Sequence, residues 1–361
     1  MKYGIITHYD VHNHGAILQL NALKLVLCEL GIEAKALQFD KNYDFMGRKL
    51  KAKYDISIRS IGIYIRFLFE RGLRCTYFNY KKKRILSCFK REAELIGEYY
   101  TECGELDCVV VGSDEVFALH TGPTPAFFGH ALPSKKVFAY GGCFGPTTIE
   151  DIDRWHSRAF VESGLKSMCG LAMRDQNSVQ IGEMLTGRKP ELVCDPVILY
   201  GYEKEKCGKS RPMEDKYMVV YAYDQRMNES NEVAAIKAYA KDHSLKIVSP
   251  GFYHSWADKC VNVDPIGLLN WFQHAECVVT DTFHGCVMSI ITGREMAVRL
   301  RDNANKLANL MEEYGIMDRL LDNDWNLERI FSSSINWSKV NEEINTRRNV
   351  SMDYLRRMIA I

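Results

Sequence analysis

Short apolar runs of strand length alternate with longer stretches of helical spacing along nearly the whole chain, and the alternation stops once and then restarts. This pattern constrains the fold more than any composition figure does. A strand, a helix and a second strand can pair in parallel only through a crossover, so the repeat builds an open α/β layer whose loops gather at the strand ends. The first series begins with a short apolar run at 3–7 and a polar loop at 8–15. Helical spacing through Leu20, Leu23, Leu27 and Leu30 follows, closing on Gly31 as a C-cap candidate, and a second run spans 34–39. The runs at 107–112, 136–141 and 169–174 read as buried parallel strands, with a helix at 150–164 between the last two. Residues 200–216 are polar, charged and aperiodic, and read as a linker. The alternation then resumes with strands at 217–223, 245–249, 277–281 and 296–300, and helices at 229–243, 265–275, 284–292 and 304–314. The expectation is an α/β protein of two Rossmann-like domains, 1–200 and 217–321, with the active site in the cleft between them. A basic helical insertion at 48–91 and a C-terminal helical tail at 322–361 complete it.

The chain has 361 residues, 47% of them hydrophobic, which is enough for two ordinary cores. Its start lacks a signal-peptide pattern, and no apolar stretch approaches membrane-spanning length. Twelve cysteines form no CxxC pair, and several follow or sit in apolar runs, which fits reduced, buried thiols and a cytoplasmic setting. The net charge of +1 points to no nucleic-acid partner. Charge is nonetheless segregated: residues 48–91 hold fourteen Lys/Arg against Asp55 and Glu70, a local charge of +12 that leaves −11 for the rest. With Ile61, Ile63, Ile65, Phe67, Leu68 and Phe69 interleaved, and Lys81, Lys82, Lys83 and Arg84 following, this segment reads either as a peripheral contact for an anionic membrane or as a solvated helix face.

Helix N-termini after strands present free N–H groups to anions. Two such starts stand out: His14-Gly15, preceded by Asn13, and TDTFHG at 280–285. In the second, Asp281 or Thr282 can cap the helix, and His284 sits in its first turn before Gly285. The helix dipole disfavours imidazolium there while a bound phosphate favours it, a balance suited to a general acid/base, although a polar cap without chemistry fits the same pattern. Arg174 follows an apolar run at a strand end, where it can take a phosphate or carboxylate bidentately or form an ordinary ion pair. Gly112, Ser113 and Asp114 form a tight polar turn after a strand, placed to approach a ligand closely or simply to turn the chain. His8, His12 and His14 match no standard zinc spacing, so no metal is expected. No Walker loop and no GxGxxG motif opens the first helix, which argues against a dinucleotide cofactor.

At these residues the chain resembles the polysaccharide pyruvyl transferase family. The resemblance rests on ordered blocks: GIIT with NHGAILQLNAL (4–23), VVGSDEVF (110–117), VFAYGGCFG (137–145), LAMRD (171–175), CDPVILY (194–200), TDTFHG (280–285) and NKLANLMEEYGIMDRLL (305–321). It implies a GT-B arrangement of two Rossmann-like lobes. It further implies transfer of a pyruvyl group from phosphoenolpyruvate to sugar hydroxyls of a surface-polysaccharide precursor, usually as a cyclic ketal and without a cofactor. By position, His284 matches the family's catalytic histidine and Arg174 its donor-binding arginine. Asn13, Gly15, Gly112, Ser113, Asp114, Thr282 and Gly285 fall where the substrate cleft is expected. Glu115, Phe117, Cys143 and Asp175 depart from the family's Gln, Trp, Ser and Glu. A nucleotide-sugar glycosyltransferase on the same two-lobed fold would use the same helix N-termini for a diphosphate and remains the competing reading.

Overall fold

A computed structural model of the chain describes residues 1–39, 58–121, 124–301 and 305–361. The first sheet comprises β1 (Lys2–Ile6), β2 (Glu33–Gln38), β3 (Ile96–Tyr99), β4 (Cys108–Val111), β5 (Val137–Gly142), β6 (Gly170–Met173) and β7 (Glu191–Leu192), in the order β3-β2-β1-β4-β5-β6-β7. The second comprises β8 (Tyr217–Tyr221), β9 (Lys246–Pro250), β10 (Lys259–Val261), β11 (Cys277–Thr280) and β12 (Met296–Val298), in the order β10-β9-β8-β11-β12. Every neighbouring pair is parallel. The central strands β4, β5, β8 and β11 are buried along their whole length, as continuous apolar runs require when helices cover both faces. Each sheet winds outward in both directions from one point, between β1 and β4 in the first and between β8 and β11 in the second. At such a switch point adjacent crossovers diverge and leave a crevice beyond the strands' carboxyl ends.

Three strands carry no apolar run and escape a reading by pattern. They are the edge strands β3, β7 and β10, whose residues are mostly half-exposed. The polar stretch after residue 200 also behaves differently from a free tether at its start. Asp195 caps a short helix, Pro196–Tyr200, and a second turn spans Glu203–Lys206. Tyr202 is fully buried, donating its hydroxyl to Leu18 O at 2.7 Å and accepting from Asn21 Nδ2 at 3.0 Å. The C-terminal helix, Trp337–Ala360, returns to the first sheet: Tyr354 Oη donates to Ala139 O (2.8 Å), and Ser351 Oγ accepts from Cys194 N (2.9 Å).

The basic segment is helical over Ile58–Glu92, broken at Gly72, whose φ of 76° and ψ of 165° suit only glycine. The part after Gly72 spans both lobes. Toward its end Leu86 is buried and Lys90 Nζ donates to Tyr9 O (3.3 Å) on the first lobe. Toward its start Asn79 Nδ2 donates to Asp224 Oδ2 (2.9 Å), Phe78 O accepts from Asn262 Nδ2 (2.9 Å), and Lys82 Nζ lies 4.0 Å from the Phe252 ring centroid on the second. Residues 48, 49, 51 and 53, and the side chains of Ile61, Ile63, Ile65 and Phe67, lie outside the described residues. Among the described residues no helix is long and apolar enough to cross a membrane.

Candidate active site

The two switch points face one another, and their helix starts interlock. After β1, Asn13 caps helix His14–Glu29 by accepting from Gly15 N at 2.9 Å. After β11, Thr282 caps helix Phe283–Thr292 by accepting from Gly285 N at 2.9 Å. The caps follow from the sequence, because each offers an oxygen two or three residues before a glycine N–H. The helices then meet directly: a Cβ on Gly15 would lie 2.5 Å from His284 Nδ1, so only glycine leaves room for the imidazole. Asn13 Nδ2 also reaches across the lobes to Tyr223 Oη (3.1 Å), and His14 Nε2–H donates to Val263 O (2.8 Å). His8 bonds instead to the Glu115 carbonyl, so the loop histidines point apart. Among the described residues no group of three or more His, Cys, Asp or Glu is arranged to hold a metal.

His284 is 9% exposed and donates Nε2–H to Gln19 Oε1 at 3.1 Å, with Asp195 Oδ2 3.9 Å from the same nitrogen. Burial pushes its pKa below the ordinary histidine value. Asp195 and Asp114 pull it back up, and Arg174 and Lys306 push it down again. Imidazole, not imidazolium, is therefore the resting form at neutral pH.

Beneath His284 lies a buried charge cluster. Arg174, at the end of β6, bonds Asp114 Oδ1 (2.8 Å) and Asp195 Oδ2 (3.2 Å), and its guanidinium stacks 4.5 Å from the Phe283 ring. Its side chain is 1% exposed and lies under Phe283, not on the cleft wall; one donor, Nε, has no hydrogen-bond partner. Burial pushes the Asp114 carboxyl up, but Arg174 and Lys306 outweigh it and hold the group well below the usual carboxylate range. The expected turn is present. Gly112 takes φ 126°, where a Cβ would overlap the Tyr140 carbonyl oxygen, and Asp114 takes φ 79°. Ser113 is buried, and its carbonyl accepts from Thr7 Oγ1 at 2.8 Å.

Above His284 opens a cleft of about 530 Å³. Of the residues singled out from sequence, Asn13, Thr282 and His284 line it; Gly15, Gly112, Ser113, Asp114, Arg174 and Gly285 do not, and sit behind the lining. Three cations that the sequence reading missed line it as well: Arg226, Arg301 and Lys306. Arg301 bridges Asp281 (3.0 Å) and Glu232 (2.7 Å), leaving Nη2 without a partner among the described residues. Arg226 is 41% exposed, 3.9 Å from Asp281, with its guanidinium 5.1 Å from the Tyr223 ring. Lys306 Nζ lies 2.7 Å from Glu115 Oε1, joining the lobes. Burial pulls its pKa down most, but Glu115, Asp114 and Cys143 together outweigh that and the ammonium is held. The cleft thus gathers three cations and two carboxylates, Glu115 and Asp281, between walls of Tyr223, Phe252 and Phe283, with a neutral imidazole at its floor.

The sequence model of polysaccharide pyruvyl transferases matches residues 13–303, which takes in both capped helix starts, Arg174 with its two aspartates, and the imidazole. The chain belongs to the polysaccharide pyruvyl transferase family. No curated protein matches it. Among solved structures it is similar to the UDP-GlcNAc 2-epimerase of Methanocaldococcus jannaschii, determined in complex with UDP-GlcNAc and UDP, at 15% identity and TM-score 0.51 over 100% of this chain and 99% of that one. It is likewise similar to the UDP-N-acetylglucosamine 2-epimerase of Rickettsia bellii, at 10% identity and TM-score 0.52 over 100% and 96%. These likenesses concern the fold, which for this chain is the two-lobed GT-B arrangement. Two further residues of its site lie in blocks the sequence had brought forward without a role: Gln19 on the first helix and Asp195 before Pro196.

Proposed function

We propose that this member of the family moves the pyruvyl group of phosphoenolpyruvate onto two hydroxyls of a saccharide acceptor, a surface-polysaccharide precursor, closing a pyruvate ketal. The observation that carries the reading is the set of three converging cations, Arg226, Arg301 and Lys306, above a buried neutral His284. Phosphoenolpyruvate brings a phosphate and a carboxylate a few bonds apart. Charge-assisted bonds from a guanidinium and an ammonium suit both groups, and Arg301 Nη2, without a partner among the described residues, is a donor already desolvated. Thr282 and Asn13 supply polar groups at the rim for the sugar.

The chemistry follows from the protonation state. A neutral His284 takes the proton from an attacking sugar hydroxyl as oxygen bonds to the central carbon of the enol. The imidazolium so formed, disfavoured by its burial, gives that proton to the methylene carbon, which becomes a methyl group. The second hydroxyl then displaces phosphate from the same carbon and its proton leaves with the phosphate. Lys306 and the two arginines stabilise the departing dianion. Asp114, Arg174 and Asp195 hold the floor on which His284 and Phe283 rest.

Thermal denaturation with phosphoenolpyruvate, measured beside a panel of nucleotide-sugars, tests the donor. A ligand at about 100 times its Kd adds about 2.7 kcal/mol to the stability of the native state. The expected result is a shift with phosphoenolpyruvate and, with a saccharide acceptor added, release of inorganic phosphate. A shift with nucleotide-sugars alone would overturn the donor assignment in favour of glycosyl transfer.

A further inference from the structure

Ten large hydrophobic side chains stand exposed among the described residues, and four of them fall within one short stretch: Phe69 (84% exposed), Leu73 (76%), Tyr77 (59%) and Tyr80 (55%). Exposure of this kind is ordinary when scattered, and calls for a cause when gathered. After the break at Gly72 the chain is regular helix, so Leu73, Tyr77, Tyr80 and Arg84, spaced by four, three and four residues, share one stripe. Arg74 and Lys81 flank the stripe on one side and Lys83 on the other, all exposed. Lys81 Nζ rests 4.5 Å from the centre of the Tyr77 ring and the Arg84 guanidinium 5.9 Å from that of Tyr80, so the cations border the apolar surface instead of pointing away from it. The opposite stripe is spoken for, since Cys75, Phe78, Lys82 and Leu86 are buried against the two lobes.

We propose that this outward face of the Leu73–Glu92 helix, with Phe69, docks the protein on an anionic lipid surface. An amphipathic helix with basic flanks lies in a bilayer interface by burying its apolar stripe among acyl chains and setting its cations against acidic headgroups. Tyrosine suits that depth, having an apolar ring and a polar tip. Charge selects this occupant over a second copy of the chain, because two such faces in contact would oppose Arg74, Lys81, Lys83 and Arg84 to themselves. Shape favours it over a nucleic acid: among the described residues Phe69 and Leu73 stand out from the helix, 84% and 76% exposed, as an apolar edge suited to insertion among acyl chains. The inward stripe touches Phe252 and Asp224, and Phe252 lines the cleft, so docking would hold the cleft about one helix diameter, ~10 Å, from the lipid surface. The inference stands on this surface alone and does not depend on the reaction proposed above.

Co-sedimentation of the full chain with vesicles tests it, comparing phosphatidylcholine alone with a mixture containing about one-third phosphatidylglycerol, at low and high salt. The expected result is binding to the anionic vesicles only, weakening as salt is added. Reversing Arg74, Lys81 and Lys83 to Glu should weaken low-salt binding by on the order of 100-fold or more. Changing Phe69, Leu73 and Tyr77 to Ser should abolish the part that survives high salt. All six side chains belong to the helix surface, so an unchanged melting temperature confirms that the fold is intact. No binding to anionic vesicles at low salt overturns the proposal, and so does equal binding to neutral vesicles. Retention of a single-stranded oligonucleotide without vesicle binding, or a dimer dispersed by Leu73→Glu without vesicle binding, would overturn it by giving the face another occupant.

Discussion

Gly15 of the first lobe and His284 of the second are in van der Waals contact, and the absence of a side chain on the one sets the position of the imidazole on the other. The contact joins the two helix starts across the cleft, so it couples lobe geometry to the placement of the imidazole proposed to handle the proton.

Gly15→Ala tests that coupling. In an open helix the change is stabilising by up to ~1 kcal/mol. Here the added methyl would lie 2.5 Å from Nδ1, and the ring has to shift. Turnover should fall by about 100-fold with the circular dichroism spectrum preserved, since misplacement of a reacting group by about 1 Å has that effect. Unaltered turnover in a folded variant would remove Gly15 from any positioning role.

The pH profile tests His284. Its pKa is depressed, chiefly by burial, so the base form is present through neutrality and is lost only as pH drops below the ordinary histidine range. The acidic limb of kcat/KM should therefore lie below pH ~6.5. His284→Ala should lower turnover by about 10²–10⁴ and abolish that limb. An acidic limb above neutrality would contradict the protonation state assigned here.

Arg226 is the cleft cation least committed to the fold, and so the clearest probe of donor binding. Losing one charge-assisted hydrogen bond costs about 1.5–3 kcal/mol. Arg226→Ala should raise the KM for phosphoenolpyruvate roughly 10- to 100-fold while leaving the melting temperature unchanged. A rise in the acceptor KM alone would move Arg226 to the sugar side of the cleft.

Arg174 should behave differently. Arg174→Met strands Asp114 and Asp195 without their counter-charge, and breaking a buried pair in this way costs about 3–5 kcal/mol. Urea denaturation should show that loss, which a purely ligand-binding arginine would not produce.

His14, next to Gly15 at the same helix start, predicts a stability effect separate from the chemistry. Burial depresses its pKa to about 3, so between the unfolded value near 6.5 and that figure the unfolded state holds one more proton. Stability carried by neutral His14 is complete above pH ~6.5 and is lost as pH falls, at about 1.4 kcal/mol per pH unit. His14→Gln should flatten the slope of unfolding free energy between pH 6 and 4 by that amount, and an unchanged slope would show that His14 does not titrate there.

The lobes were legible in sequence because a buried parallel strand writes itself as an unbroken apolar run, as in Cys108–Val111 and Cys277–Thr280. Edge strands such as Glu191–Leu192 write nothing of the kind. The capped helix starts were legible for a similar reason, since Thr282 and Gly285 sit three residues apart and the cap is a local bond. Arg226, Arg301 and Lys306 were not, because each sits in its own segment and only the sheet order brings them together. Their one available signal is that Arg226 follows β8 and Arg301 follows β12, at carboxyl ends of strands where ligands gather. Arg174 shows the converse: its position at a strand end was readable, but its enclosure by Asp114, Asp195 and Phe283 comes from three separate parts of the chain.

With the proposed donor, the Glu115–Lys306 pair in the cleft lining would select by charge before any shape is tested. Lys306 is already answered by a carboxylate at 2.7 Å, so whatever comes to it must displace or share a standing competitor. A neutral sugar brings nothing that outmatches a carboxylate, whereas a molecule with two anionic groups does. Because the pair also ties one lobe to the other, a donor that takes Lys306 would be expected to loosen that tie.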